Sequence, residues 1–182
     1  MKRAIAAVVI IGIAVAALVI GSILREGIST HDEPTRTEVV IARTLRHFAV
    51  PAKLRNAKNP IPLTPDVLSE AREHFGDHCA QCHGNDGRGD TEIGKNLYPH
   101  TPDMTLPETQ KLSDGELFAI IRDGVRLTGM PGWGGGDADN WKLVHFIRHL
   151  PQMKKEEIES MKKFNPISRQ DLLEEKFLTG KQ

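Results

Sequence analysis

The chain has 182 residues, enough for one ordinary domain with extensions. Its 24 Lys and Arg balance its 24 Asp and Glu, so no excess of charge points to nucleic acid as a partner. That average conceals a split between an apolar opening and a polar remainder.

Residues 4–24 are an unbroken run of apolar and small residues, preceded by Lys2 and Arg3 and closed by Arg25 and Glu26. At about 1.5 Å per helical residue the run spans about 30 Å, the thickness of a bilayer's hydrocarbon core. A cleaved signal peptide has a shorter apolar region and a small-x-small site close behind it. Ile23, Leu24 and Arg25 are poor flanking residues for such a site. Residues 1–25 are therefore expected to form a retained transmembrane anchor, with membrane contact through 4–24. Arg25, Arg36 and Arg43 oppose Lys2 and Arg3, so the count of positive charge does not fix which side the rest occupies.

Residues 26–64 read as a tether, with Pro34, Pro51, Pro60 and Pro62, then Pro65, interrupting any long helix. Within it Val40, Ile41, Leu45 and Phe48 fall at helical spacing among Arg43, Arg46 and His47, the pattern of a short amphipathic helix. A membrane surface, a partner subunit or the chain's own domain could each cover its apolar face; periodicity does not choose.

A compact unit is expected over 65–151. Thr64 can cap a helix with Pro65 at its first position, and Val67, Leu68, Ala71 and Phe75 mark one face leading into Cys79. Residues 84–112 are dense in Gly, Pro and Asp and read as turns. Ser113-Asp114-Gly115-Glu116 is a capping box opening a helix through Ile121, which Gly124 ends. After a second loop at 129–136, a helix over 137–150 offers Trp141, Val144, His145 and Ile147 to an interior, and Pro151 stops it. Residues 152–182, with Glu156 and Glu157 close to Lys162 and Lys163, read as a charged helical tail outside the core. No alternating strand pattern is found, and the expected class is all-α. Three short helices joined by long loops enclose little apolar area, so something other than side chains must fill the centre.

Residues 78–90, HCAQCHGNDGRGD, contain the only two cysteines, Cys79 and Cys82, with His83 after the second. Cys-x-x-Cys-His is the pattern of a c-type haem attachment site. Two thiols three positions apart can each add to one vinyl group of a porphyrin, and the next residue sets an imidazole under the iron as proximal ligand. A thioredoxin-type disulfide wants a βαβ setting, and a zinc site wants a second ligand pair at short spacing. Neither accompanies this motif, and a plain structural disulfide leaves the glycine-rich loops unexplained. Phe75, Leu97, Ile121, Leu127 and Ile147 are the apolar residues that could pack on a haem face.

Over residues 65–150 the phrases HCAQCHG, NLYPHTPDMT, LSDGELFAIIRDGVRLTGMPGWG and WKLVHFIRHL together resemble a class I c-type cytochrome. The resemblance implies a small helical fold around one covalent haem c, in which the first and last helices cross, with Phe75 and Trp141 near the crossing. It implies electron transfer without substrate chemistry. A methionine on the loop after the middle helix is the distal iron ligand of that family, and Gly129-Met130-Pro131-Gly132-Trp133 matches that element.

The residues support Met130 independently: a thioether is a soft neutral donor suited to haem iron, Pro131 fixes the backbone after it, and Gly129 and Gly132 permit close approach. Met104 is the rival, and His100 is the most credible histidine alternative; Met153 and Met161 lie beyond the last core helix. His145 and His149 stand at i, i+4 with no third ligand beside them, which favours a surface or core-edge role. The haem propionates need donors, for which Tyr98, Arg126 and the indole N–H of Trp133 or Trp141 are candidates.

The expectation is thus a membrane-anchored one-electron carrier, single-pass in a bacterial inner membrane with its haem domain in the periplasm, where c-type cytochromes mature. Its partners would be a dehydrogenase as donor and an oxidase as acceptor, or the other subunits of a cytochrome complex. Two alternatives remain: a gas sensor or peroxidase with an open sixth position, and a structural cytochrome subunit of a larger complex.

Overall fold

Side-chain N-caps at Thr35, Thr64, Thr91 and Ser113 open four of the helices. The computed structural model describes residues 2–26 and 29–165, and no strand occurs among the described residues. Helix α1, Lys2–Glu26, contains the stretch Ile5–Ser22, which carries no charged residue and has no buried one. Helix α2, Arg36–Ala49, opens on a full capping box in which Thr35 and Glu38 satisfy each other's backbone N–H groups. A single turn, α3 at Ala52–Arg55, follows.

Helix α4, Pro65–His74, begins where the Thr64 hydroxyl accepts from the Val67 N–H at 3.2 Å, with Pro65 at the first helical position. It continues through a π-helical turn at Phe75–Cys79 into α5, Ala80–His83. Short turns α6, Glu92–Lys95, and α7, Pro107–Gln110, punctuate the long loop. Helix α8, Asp114–Asp123, has the Ser113/Glu116 capping box and ends at Gly124, whose φ of 70° suits a residue without Cβ. Helix α9 runs Asp137–His149.

Helices α4 and α8 both pack against α9. Where the end of α4 meets α9 the rings of Phe75 and Phe146 lie 4.9 Å apart, both almost fully buried. Trp141 instead stacks on Phe118 of α8 at 4.3 Å. Ala71, Leu117, Ile121, Leu143, Val144, Ile147 and Leu150 are among the other residues of the interior. Each large side chain in it contributes about 1.5–3 kcal/mol by leaving water.

Two segments expected to be peripheral pack on the domain over part of their length. The tether over 26–64 is not free along its length: Val50 is buried, and Leu54, Ala57 and Ile61 pack on the core. Asn59 Nδ2 donates to the Trp141 carbonyl at 2.8 Å, the Ser113 hydroxyl donates to the Arg55 carbonyl at 2.6 Å, and a ring nitrogen of His145 meets the Ile61 carbonyl at 2.7 Å. Residues 50–64 therefore form a strap across α8 and α9.

The segment after Pro151 is likewise not a tail outside the core. A 3₁₀ turn at Leu150–Gln152, helix α10 at Lys155–Ser160 and a 3₁₀ turn at Met161–Phe164 fold it back onto α4. Met161, set aside by sequence as lying beyond the last core helix, is 0% exposed. Glu157 binds both Arg72 and His149, giving the return a polar clamp. The remainder of the expected tail, residues 166–182, lies outside the described residues.

Candidate haem-attachment site

The π-helical turn sets the geometry. Its closing bond runs from the Ala80 N–H to the Phe75 carbonyl, one residue wider than an α turn, and π turns of this kind gather at functional sites. Gly76 within the turn lies against Phe164: a Cβ there would come within 2.8 Å of the Phe164 Cβ. Asn165 Nδ2 donates to the Gly76 carbonyl at 2.9 Å and pairs reciprocally with the side chain of Asn85. The C-terminal segment thus braces the helix just before Cys79, and the loop just after His83, from one side.

On the other side, Thr91 Oγ1 donates to the Cys82 carbonyl at 3.0 Å and accepts from the Gly94 N–H at 2.8 Å. A Cβ at Gly94 would collide with the Cys82 carbonyl, so only glycine lets this turn close on the attachment segment. Cys79 and Cys82 are free, half-buried thiols. Burial, assisted by the neighbouring Cys82, pushes the Cys79 thiol up to about 12, and burial also raises Cys82. Both are neutral S–H groups at neutral pH.

Among the described residues two buried side-chain nitrogens find no hydrogen-bond partner, Arg72 Nε and His83 Nδ1, and the second lies at the attachment site. The His83 ring lies 6.4 Å from that of Phe75, and burial pushes its pKa down to about 4. An imidazole held neutral keeps a lone pair available, which is what an iron ligand requires. The donor set of two neighbouring thiols and a half-buried, neutral imidazole fits a covalent haem. Among the described residues no group of three or more His, Cys, Asp or Glu side chains is gathered as a metal site.

Met130 is half-buried on a loop tied to the end of α8. The Val125 N–H donates to the Met130 carbonyl at 3.1 Å, Thr128 Oγ1 accepts from the Met130 N–H at 3.1 Å, and the Trp133 N–H donates to the Ile121 carbonyl at 3.1 Å. Gly129 packs on the side chain of Leu97, and a Cβ there would come within 2.6 Å of it. The rival Met104 differs in setting: its side chain belongs to the apolar core cluster. His100 has both ring nitrogens engaged, one with Glu33 at 3.0 Å and the other with the Thr30 carbonyl at 3.1 Å.

Of the four propionate-donor candidates, Trp133 is brought to the attachment helix, its ring edge-on to His78 at 5.4 Å, whereas Trp141 is stacked on Phe118. The Tyr98 hydroxyl donates to Glu38 of α2 at 3.1 Å, and Arg126 is exposed on the loop between α8 and Met130. Beside it Leu127 is 93% exposed with φ 62°, a left-handed backbone unusual for a branched apolar residue. Sequence reasoning missed Asn165 and Asn85 as braces of the site. The spacing of Ile158, Met161 and Phe164 at intervals of three was the signal that this segment has a buried side.

Residues 66–147 match the family model described as cytochrome c oxidase, cbb3-type, subunit III. No curated protein matches the chain.

Proposed function

We propose, from the premise that residues 66–147 form a c-type cytochrome domain with one covalent haem c on Cys79 and Cys82, that the protein is a membrane-anchored one-electron carrier with both axial positions filled by its own side chains. When bound, the haem supplies a one-electron couple between ferric and ferrous iron. His83, half-buried and neutral, is the proximal ligand. Met130 is the proposed distal ligand, and as a neutral thioether it favours the ferrous state relative to a second imidazole. Trp133 and Arg126 are proposed to face the propionates, with Tyr98 bridging to α2. Side chains that exclude water and hold two ligands fixed leave little to rearrange when charge changes.

The observation that carries this reading is the pairing of His83, whose enclosed Nδ1 makes no hydrogen bond, with a Met130 loop whose Trp133 packs on the attachment helix. α1 is proposed as a single-pass anchor in a bacterial inner membrane, with the haem domain on the periplasmic side where such haems are attached. Anchoring raises the domain's effective concentration toward membrane partners. The matched family's description names an oxidase subunit, which supports an oxidase or another membrane redox complex as acceptor and a dehydrogenase or cytochrome complex as donor.

A spectroelectrochemical titration of the haem-loaded full chain tests the carrier role. One reversible one-electron wave, superimposable on oxidation and reduction, is expected. Hysteresis between the two directions, or turnover of added peroxide, contradicts it.

A further inference from the structure

Helix α2 is amphipathic in the opposite sense to a helix that covers a core. Polar groups tie it to the rest of the protein: Glu38 accepts from the Tyr98 hydroxyl at 3.1 Å, His47 Nδ1 meets Glu116 Oε1 at 2.8 Å, and Arg55 donates to the His47 carbonyl at 2.8 Å. No residue of α2 is buried. Val40, Ile41, Leu45 and Phe48 are 63%, 53%, 65% and 75% exposed. At 100° per residue these four, with Thr37 and Thr44, share one side of the helix, opposite the partly buried Val39 and Arg46. The charged side is docked and the apolar side faces away.

The position of α2 in the chain says what covers that side. Residues 27–35 join α1 to α2, and at about 3.4 Å per residue they reach at most about 30 Å. The link is shorter in practice, because His100 holds Thr30 and Glu33 against the domain. An apolar helix face this close to a membrane span, edged by the exposed guanidinium groups of Arg36 and Arg43, has the composition of an interfacial helix. A partner's hydrophobic groove would need no basic edge, whereas anionic lipid headgroups do.

We infer that α2 lies in the lipid headgroup region with Val40, Ile41, Leu45 and Phe48 inserted toward the acyl chains, so that it fixes the orientation of the haem domain on the bilayer rather than leaving it on a loose tether. This rests on the proposal that α1 spans the membrane. Because the haem thioethers consume Cys79 and Cys82, a cysteine introduced by Thr44→Cys is the sole free thiol of the loaded chain and accepts a fluorescent label.

The full haem-loaded chain, reconstituted in phosphatidylethanolamine–phosphatidylglycerol vesicles, is first floated on a density gradient, and the label is then quenched with aqueous iodide or with lipid-borne nitroxide. The expected result is co-flotation, quenching by the nitroxide, and iodide quenching about tenfold weaker than in a Leu45→Asp, Phe48→Asp background. The haem spectrum of that background reports that the domain remains folded. Co-flotation with a fully iodide-accessible label overturns the inference while leaving the anchor intact. A label shielded from both quenchers, with label-to-label contact, overturns it in favour of a second copy of the chain. Failure to float overturns the anchor and the inference together.

Discussion

The indole ring of Trp133 stands edge-on to the imidazole of His78, at 5.4 Å between centroids and 87° between planes. One ring belongs to the loop that carries Met130, the other to the turn that leads into Cys79. This contact joins the Met130 loop to the attachment segment across 55 residues of chain, the distance from position 78 to position 133. Aromatic pairs of this geometry contribute about 0.5–1.5 kcal/mol beyond the area they bury.

Replacing Trp133 by Ala should therefore loosen the Met130 loop without detaching the haem. The expected outcome is a weakened methionine-to-iron band in the oxidised spectrum and faster binding of added imidazole, with the covalent haem content unchanged. Unaltered imidazole binding would mean that the loop is held by its backbone bonds alone.

Gly115 sits in the first turn of α8 beneath the backbone of the strap, and a Cβ there would collide with the Leu54 carbonyl. Backbone cannot rotate aside as a flexible side chain can, so Gly115→Ala should destabilise the fold by about 1–3 kcal/mol despite alanine's better helix propensity. Urea unfolding of the haem-loaded protein measures it. A gain in stability would show that residues 50–64 do not hold this position.

Met161→Ala removes a side chain with no exposed surface, and truncations of this kind cost about 2–5 kcal/mol. Asn165→Ala should cost less in stability but act on the site, because it takes the brace from the Gly76 carbonyl and from Asn85. Both effects are read by thermal unfolding followed at the haem band. A truly external tail would give no change for either variant.

These results mark what was legible in the sequence. Thr64, the Ser113/Glu116 box and Gly124 announce their helix ends because capping depends on residues three or four positions apart. Cys79, Cys82 and His83 are legible for the same reason, their spacing being the chemistry. The π turn at Phe75–Cys79 has no comparable signal, since FGDHC continues an α pattern equally well. The strap and the return of Met161 escaped notice because their apolar residues are scattered among prolines and charges, and their partners lie 50 or more residues away. For α2 the periodicity gave the helix but not its facing, which Tyr98 and Glu116 decide through side-chain hydrogen bonds.

The contact between α2 and the domain should respond to acid. Burial works to raise the Glu116 carboxyl, but hydrogen bonds from the Ser113 backbone N–H and from His47 oppose it, and the carboxyl is held below the ordinary 4.5. A carboxyl depressed in the folded state contributes stability above its unfolded value and loses it as the pH falls through the folded one. Unfolding free energy should thus decline as the pH drops below the ordinary carboxylate range, and Glu116→Gln should flatten that decline. An unchanged slope in the variant would assign acid sensitivity to other carboxylates.

The central claim is that His83 and Met130 close both faces of the iron, so that the protein passes electrons and binds nothing at the metal. The most direct measurement is the optical spectrum of the haem-loaded chain, oxidised and reduced, with and without carbon monoxide, alongside a Met130→Ala variant. The account predicts a near-red methionine-to-iron band in the oxidised protein, no response of the reduced protein to carbon monoxide, and loss of the band with rapid carbon monoxide binding in the variant. A wild-type protein that lacks the band and binds carbon monoxide at once would contradict it and make the site that of a sensor or an enzyme.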